Sequence, residues 1–366
     1  MDNNNSSKKK IPDSRSVAIV LLLLSSVYVI SFSPHQQQFS LKVTAQTDNS
    51  NNNTNDSKSS QGKDEDSILN KALADRTAVL NGMAIAFFYS GNFEQAISLS
   101  DQALAISPND TDALNTKALA LFNSGRFNES VIVSDRALVL HTNDLDSLNT
   151  KAVSLLELGR TNESITVSDR ALAISPNDTD SLNTKALALL ELGRSNESIT
   201  VSDRALTIDP NNLNALNTKA LALFYSGRPD ESIPVYNRAL AIDPNDLNTL
   251  NNIALGLFVS GRSNESITVS DRALAISPND TDSLNTKALA LLDLGRSNES
   301  ITVSDRALAI HPDDTDLLNT KAYGMIAMEE FNQAIALFDK VLAIDPNNTE
   351  ALNGKRSLSQ ASPNGR

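Results

Sequence analysis

The chain has 366 residues, with 44 Asp or Glu against 31 Lys or Arg and a formal net charge of −13. It has no Cys, which excludes a disulfide framework, a thiol nucleophile and any Cys-based zinc or iron–sulfur site. The acidic balance argues against a nucleic-acid binder, because phosphate neutralisation needs clustered Lys and Arg.

The N-terminal region, residues 1–15, is basic, with Lys8, Lys9, Lys10 and Arg15. An uncharged stretch follows over residues 16–33, with an apolar run at 17–24. This is the order of a signal sequence, and the stretch is nearly long enough to span a bilayer. It predicts a signal sequence or a transmembrane anchor, with everything after it outside the cytoplasm by the positive-inside tendency. Val43, Thr44 and Ala45 offer small residues for cleavage before Gln46, so cleaved and retained forms both stand. Residues 34–63 hold Asn49, Asn51, Asn52, Asn53 and Asn55 with little that is apolar. Such a segment buries too little surface to offset its ordering entropy. The expectation is a disordered tether over 34–63 and an N-terminal capping helix over 64–76.

From residue 77 the chain repeats every 34 residues. Gly91, Gly125, Gly159, Gly193, Gly227, Gly261 and Gly295 mark the period, and Glu329 takes the next place. A leucine column runs through Leu80, Leu114, Leu148 and Leu182, and an alanine column through Ala103, Ala137, Ala171 and Ala205. Prolines recur at Pro108, Pro176, Pro210 and Pro244. Eight units fit residues 77–348. A C-terminal capping helix is expected over 349–359 and a disordered tail over 360–366. Each unit reads as two helices. Leu114, Ala118 and Leu121 form an apolar stripe, Gly125 stops the helix in a left-handed position, and Asn128 is a candidate cap for the next helix. The Pro-Asn-Asp turn ends the unit and caps the one that follows.

A 34-residue period of helix, Gly turn, helix and Pro turn resembles the tetratricopeptide repeat family. The resemblance covers residues 77–359. It implies an all-α fold: an α-solenoid, a right-handed superhelix of eight helix-turn-helix repeats with a C-terminal capping helix. It also implies a concave face, lined by the first helices, that binds extended peptides or partner helices. The chain departs from the family where a second-helix aromatic is replaced by Ser100, Ser134, Ser168, Ser202, Ser270 and Ser304, with Tyr236 and Phe338 as exceptions.

Helical spacing puts Asp112, Asn115, Leu119 and Phe122 on one face, read as the groove face. Its asparagine column includes Asn115, Asn149, Asn183, Asn217, Asn251, Asn285 and Asn319. An amide both donates and accepts, so this row suits an extended backbone, or else it caps or solvates the groove. Phe224, Tyr225 and Phe258 put aromatics on or beside the same face near Pro234, where a helix kink or a binding hot spot is expected. Co-chaperone members of the family clamp a terminal carboxylate with Lys and Arg. Asp112, Asp146, Asp180, Asn214, Asn248, Asp282 and Asp316 stand there instead, which disfavours that ligand.

No phosphate loop, His–Glu–His spacing or serine elbow occurs, and His35, His141 and His311 are widely separated. No catalytic residue, cofactor, metal site, small-molecule substrate or nucleic-acid partner is expected. Asn128, Asn162 and Asn196 precede Glu-Ser, and Asn109 and Asn177 precede Asp-Thr; these read as helix caps or as glycan acceptors. The leading function is a non-catalytic protein-binding scaffold outside the cytoplasm, tied to the membrane only through its N-terminal segment. A glycosylated spacer without a ligand and an assembly factor for membrane complexes are the alternatives.

One register is also legible. Lys117, Lys151, Lys185, Lys219, Lys287, Lys321 and Lys355 each follow an Asp by sixteen residues. Ion pairs between successive units are expected at these seven places. Where the Asp becomes Asn237, the Lys becomes Ile253, and no pair is expected.

Overall fold

The structure, a computed structural model, describes residues 61–361. The expected basic region, apolar stretch and most of the tether lie outside them, as does nearly all of the tail. Among the described residues there are 17 α-helices and no strand. The chain is an all-α solenoid of consecutive packed helix pairs. Two compact units divide it at Pro210 and Asn211.

In the first unit α1 spans Gln61–Tyr89, α2 Phe93–Ile106, α3 Thr111–Asn123 and α4 Phe127–Leu140. They are followed by α5 Leu145–Glu157, α6 Thr161–Ile174, α7 Thr179–Glu191 and α8 Ser195–Ile208. The second unit holds α9 Leu213–Tyr225, α10 Pro229–Ile242, α11 Leu247–Val259 and α12 Ser263–Ile276. It continues with α13 Thr281–Asp293, α14 Ser297–Leu308, α15 Thr315–Ala327, α16 Phe331–Ile344 and α17 Thr349–Ala361. The expected helix over 64–76 is not a separate element. It is the first half of α1, which runs unbroken into the first repeat.

Local chemistry sets each boundary. The Gly column ends the first helix of each pair in the left-handed region, with φ between 69° and 79° at all seven positions. Around Gly125 the amide of Arg126 donates to Leu121 O at 2.9 Å and that of Gly125 to Phe122 O at 3.0 Å, closing the last turn. Glu329 takes the same position at φ 62°, a conformation that costs a side-chain-bearing residue about 1 kcal/mol. Asp110, Asp144, Asp178 and Asp280 cap the first helices, each accepting from the backbone amide three residues on. The second helices lack such caps. Arg126, not Asn128, holds the N-cap position of α4, and Asn128 lies within the first turn. The Gly turn brings the chain into the helix two residues earlier than the Asn spacing suggests.

Small residues let the paired helices approach. Ala103, Ala118, Ala137, Ala152 and Ala171 are fully buried. Inside five of the pairs a serine crosses the contact. Ser130 Oγ donates to Ala118 O at 2.8 Å, Ser164 to Ala152 O at 2.7 Å and Ser266 to Ala254 O at 2.7 Å. Ser100, Ser134, Ser168 and their counterparts are buried where the family carries an aromatic, and their hydroxyls find no protein partner. Phe338 is the aromatic exception. Its ring fills the space where a Cβ on Gly354 would stand.

Helix α10 continues through Pro234 to Ile242 without interruption. The Ser232 amide to Arg228 O distance is 3.3 Å, against 3.0 Å for Ser130, Ser164 and Ser198, and the Ser232 hydroxyl turns back to Pro229 O. Pro229 sits in the first turn, where a missing amide hydrogen costs nothing.

Candidate functional site: the face of the first helices

The asparagine column stands at the joint between one first helix and the next. Asn115 Nδ2 donates to Asp144 Oδ2 at 2.9 Å, and its Oδ1 accepts from Ser147 Oγ at 2.6 Å. Asp144 in turn caps α5 through the Ser147 amide. Asn149 repeats the arrangement with Asp178 and Ser181, and Asn251 with Asp280 and Ser283. Asn217 accepts from Thr249 and Asn285 from Thr320. Asn115, Asn149 and Asn319 are buried; Asn183, Asn217, Asn251 and Asn285 are partly so. The amides expected to meet a partner are therefore spent on the neighbouring repeat.

The apolar residues expected on that face are also largely covered. Leu119 and Phe122 pack with Val153, Phe88 and Phe127. Phe258 is fully buried against Leu289 and Ala290. Phe224 is half-buried, and Tyr225 is exposed beside it with ring centroids 5.5 Å apart. A helical wheel shows which residues share a face. It does not show that adjacent first helices cover the lower part of it.

What stays accessible is acidic. Asp112 and Asp282 are exposed, and Asp146, Asp180 and Asp316 partly so. Burial, then Asp178 and Asp146, pushes the Asp180 carboxyl up to about 6. Burial, then Asp314 and Asp282, does the same for Asp316. Asp112 and Asp282 shift upward for the same reasons, burial first and neighbouring aspartates second. Along α5 and α7, burial raises Glu157 with help from Glu191. The charges that act on these groups are other carboxylates.

Glu350 on α17 is the extreme case. It is 4% exposed. Its Oε2 accepts from Asn319 Nδ2 at 3.0 Å, and its Oε1 has no partner. Burial and Asp316 push its carboxyl up to about 8, against the opposing pull of the Asn319 bond.

The expected ion pairs form away from this face. Lys117–Asp101 lies at 2.6 Å, Lys151–Asp135 at 2.5 Å and Lys185–Asp169 at 2.5 Å. Lys287–Asp271 at 2.6 Å, Lys321–Asp305 at 2.5 Å and Lys355–Asp339 follow in the second unit. The seventh expected pair, Asp203 with Lys219, falls on the two sides of the unit boundary. Between α10 and α11 both charges are gone, and Ile253 is buried there instead.

Sequon asparagines Asn109, Asn128, Asn162, Asn177 and Asn196 are exposed, and none of them caps a helix. Among the described residues no group of three or more His, Cys, Asp or Glu could hold a metal ion. Among them, too, no helix is long and apolar enough to cross a membrane.

Comparison with known proteins agrees with the architecture. The family model for anaphase-promoting complex, cyclosome, subunit 3 matches residues 90–170. Two tetratricopeptide repeat models match residues 179–212 and 213–246. The sequence matches no curated protein. A tetratricopeptide repeat protein from Parabacteroides merdae is similar at TM-score 0.54 and 17% identity, covering 69% of this chain and 99% of that one. The Cut9–Hcn1 hetero-tetramer gives 0.57 at 15%, covering 79% and 59%. PilW, a type IV pilus biogenesis factor, gives 0.53 at 16%, covering 56% and 96%. At these identities the likeness is one of fold.

The carboxylates set a pH dependence. Each binds its proton more tightly in the folded chain than in the unfolded one. The stability they contribute is present below their ordinary range near pH 4. It is lost as pH rises through about 6 for Asp180 and Asp316 and about 8 for Glu350. The melting midpoint is expected to be higher near pH 5 than near pH 8. Glu350→Gln, which keeps an acceptor for Asn319, is expected to stabilise at pH 8 by on the order of 1–2 kcal/mol and to do little at pH 5. Thermal melts of both proteins across this range measure it.

Proposed function

From a chain built of tetratricopeptide repeats, we propose a non-catalytic scaffold that binds protein partners along the face of its first helices, recognising extended or helical segments rich in Lys and Arg. The row of carboxylates that raise one another carries this reading. For Asp112 and Asp180 in the first unit, and Asp282 and Asp316 in the second, burial and neighbouring aspartates together raise the carboxyl, and no cation is among the causes. A basic partner relieves that repulsion on binding. The buried asparagines give the face its rigidity and no longer serve as the recognition row.

The proposal includes a location. Lys8, Lys9 and Lys10 before the apolar stretch 16–33 favour export of the repeats, with the segment cleaved or kept as an anchor. Protease added to intact cells should then digest the repeats; protection until lysis contradicts export.

Binding is tested on the full chain with labelled Lys/Arg-rich and Asp/Glu-rich peptides of equal length. The basic peptide should bind and weaken as salt rises. Asp112→Asn, Asp146→Asn and Asp180→Asn together should weaken it at least about tenfold, the equivalent of roughly 1.4 kcal/mol. Equal affinity for both peptides, or an unaffected triple variant, contradicts the proposal.

A further inference from the structure

Helix α1 is 29 residues long, while the other first helices have 13. Its extra length precedes the first repeat, and among the described residues no earlier repeat covers its outer face. In the second repeat the equivalent face is closed: Ala113, the counterpart of Val79, is fully buried, and Lys117, the counterpart of Met83, pairs with Asp101. On α1 this face is open and apolar. Ile68 is 69% exposed, Val79 61% and Met83 45%. An exposed terminal face in a repeat array is ordinarily polar. The opposite end is more polar, with Asn353, Arg356 and Ser359 outward on α17 and Leu352 as the apolar exception.

The stripe has an internal symmetry. At about 100° per residue, Ile68, Ala72, Val79 and Met83 fall within about 30° of one line along the helix. Asp75 and Arg76 flank that line at about 50° on opposite sides. Both are exposed. Laying a second α1 against the first in parallel and in register brings each apolar residue onto its own copy. It also brings Asp75 opposite the other copy's Arg76, twice, as flanking charges do in a parallel coiled coil. An antiparallel pairing sets Asp75 against Asp75 and Arg76 against Arg76. A head-to-tail contact sets the apolar stripe against the polar face of α17.

We propose that α1 is the interface of a parallel, two-fold homodimer, with a second copy of this chain seated on the stripe formed by Ile68, Ala72, Val79 and Met83. The interface closes the open end of the repeat array in each copy. It leaves the acidic faces of both arrays free for partners.

Because the chain has no Cys, disulfide trapping reports the register without background. Ala72→Cys and Val79→Cys are made separately in the full chain, given different tags, mixed and oxidised. Each variant should cross-link to itself, with no mixed product, because positions 72 and 79 are about 10 Å apart along a helix. Asp75→Arg should abolish trapping at least tenfold, and Asp75→Arg with Arg76→Asp should restore it. Circular dichroism confirms that each variant stays helical. A mixed Ala72→Cys/Val79→Cys product shows antiparallel packing and overturns the proposal. So does the absence of any cross-link, which means that something other than a second copy covers the stripe.

Discussion

The structure depends on one partly buried contact: the asparagine of a first helix bonded to the capping aspartate of the next first helix. The aspartate is committed twice, to the asparagine amide and to the backbone amide of its own helix. Helix initiation in one repeat is therefore coupled to docking on the repeat before it. A buried amide left without partners costs about 1–3 kcal/mol, so a slip of one residue forfeits more than it gains. The Lys–Asp pairs fix the same register from the other side. They are partly exposed and contribute less.

This coupling explains why an array poor in aromatics holds together. Six second helices carry a buried serine in place of a ring, which removes apolar area at every junction. Polar contacts of fixed geometry supply the specificity that bulky packing supplies elsewhere. The exceptions fit. Where the charge pair is lost, Ile253 and Tyr236 are buried in the same stretch. Where the array ends, Phe338 fills the space left open by Gly354, and Ala351 has no hydroxyl to offer Asn319, whose Oδ1 stays unpaired. The same logic exposes α1, the first of the described helices.

Much of this was legible in the sequence because the period repeats every local signal many times. Glycine at a left-handed turn, aspartate after the proline turn and Lys sixteen residues beyond Asp are short-range or periodic constraints. The contacts of Asn115 with the next repeat were not read from the sequence, because the helical wheel treats one helix alone. The signal was present in two further spacings, Asn to Asp at 29 residues and Asn to Ser at 32. Asn128 looked like a cap because cap-type residues cluster there, yet the glycine turn places Arg126 at the boundary. Among the expected groove aromatics, Phe258 lies on the expected face but under the next first helix, whereas Tyr225 is exposed.

The central claim is that the asparagine–aspartate contact couples successive repeats. A double-mutant cycle on Asn149 and Asp178, with Ala at each position and urea unfolding followed by circular dichroism, tests it most directly. The account predicts a coupling energy of at least about 1 kcal/mol between the two positions. Additive effects, with coupling below about 0.5 kcal/mol, would show that the contact merely accompanies stacking and does not enforce it.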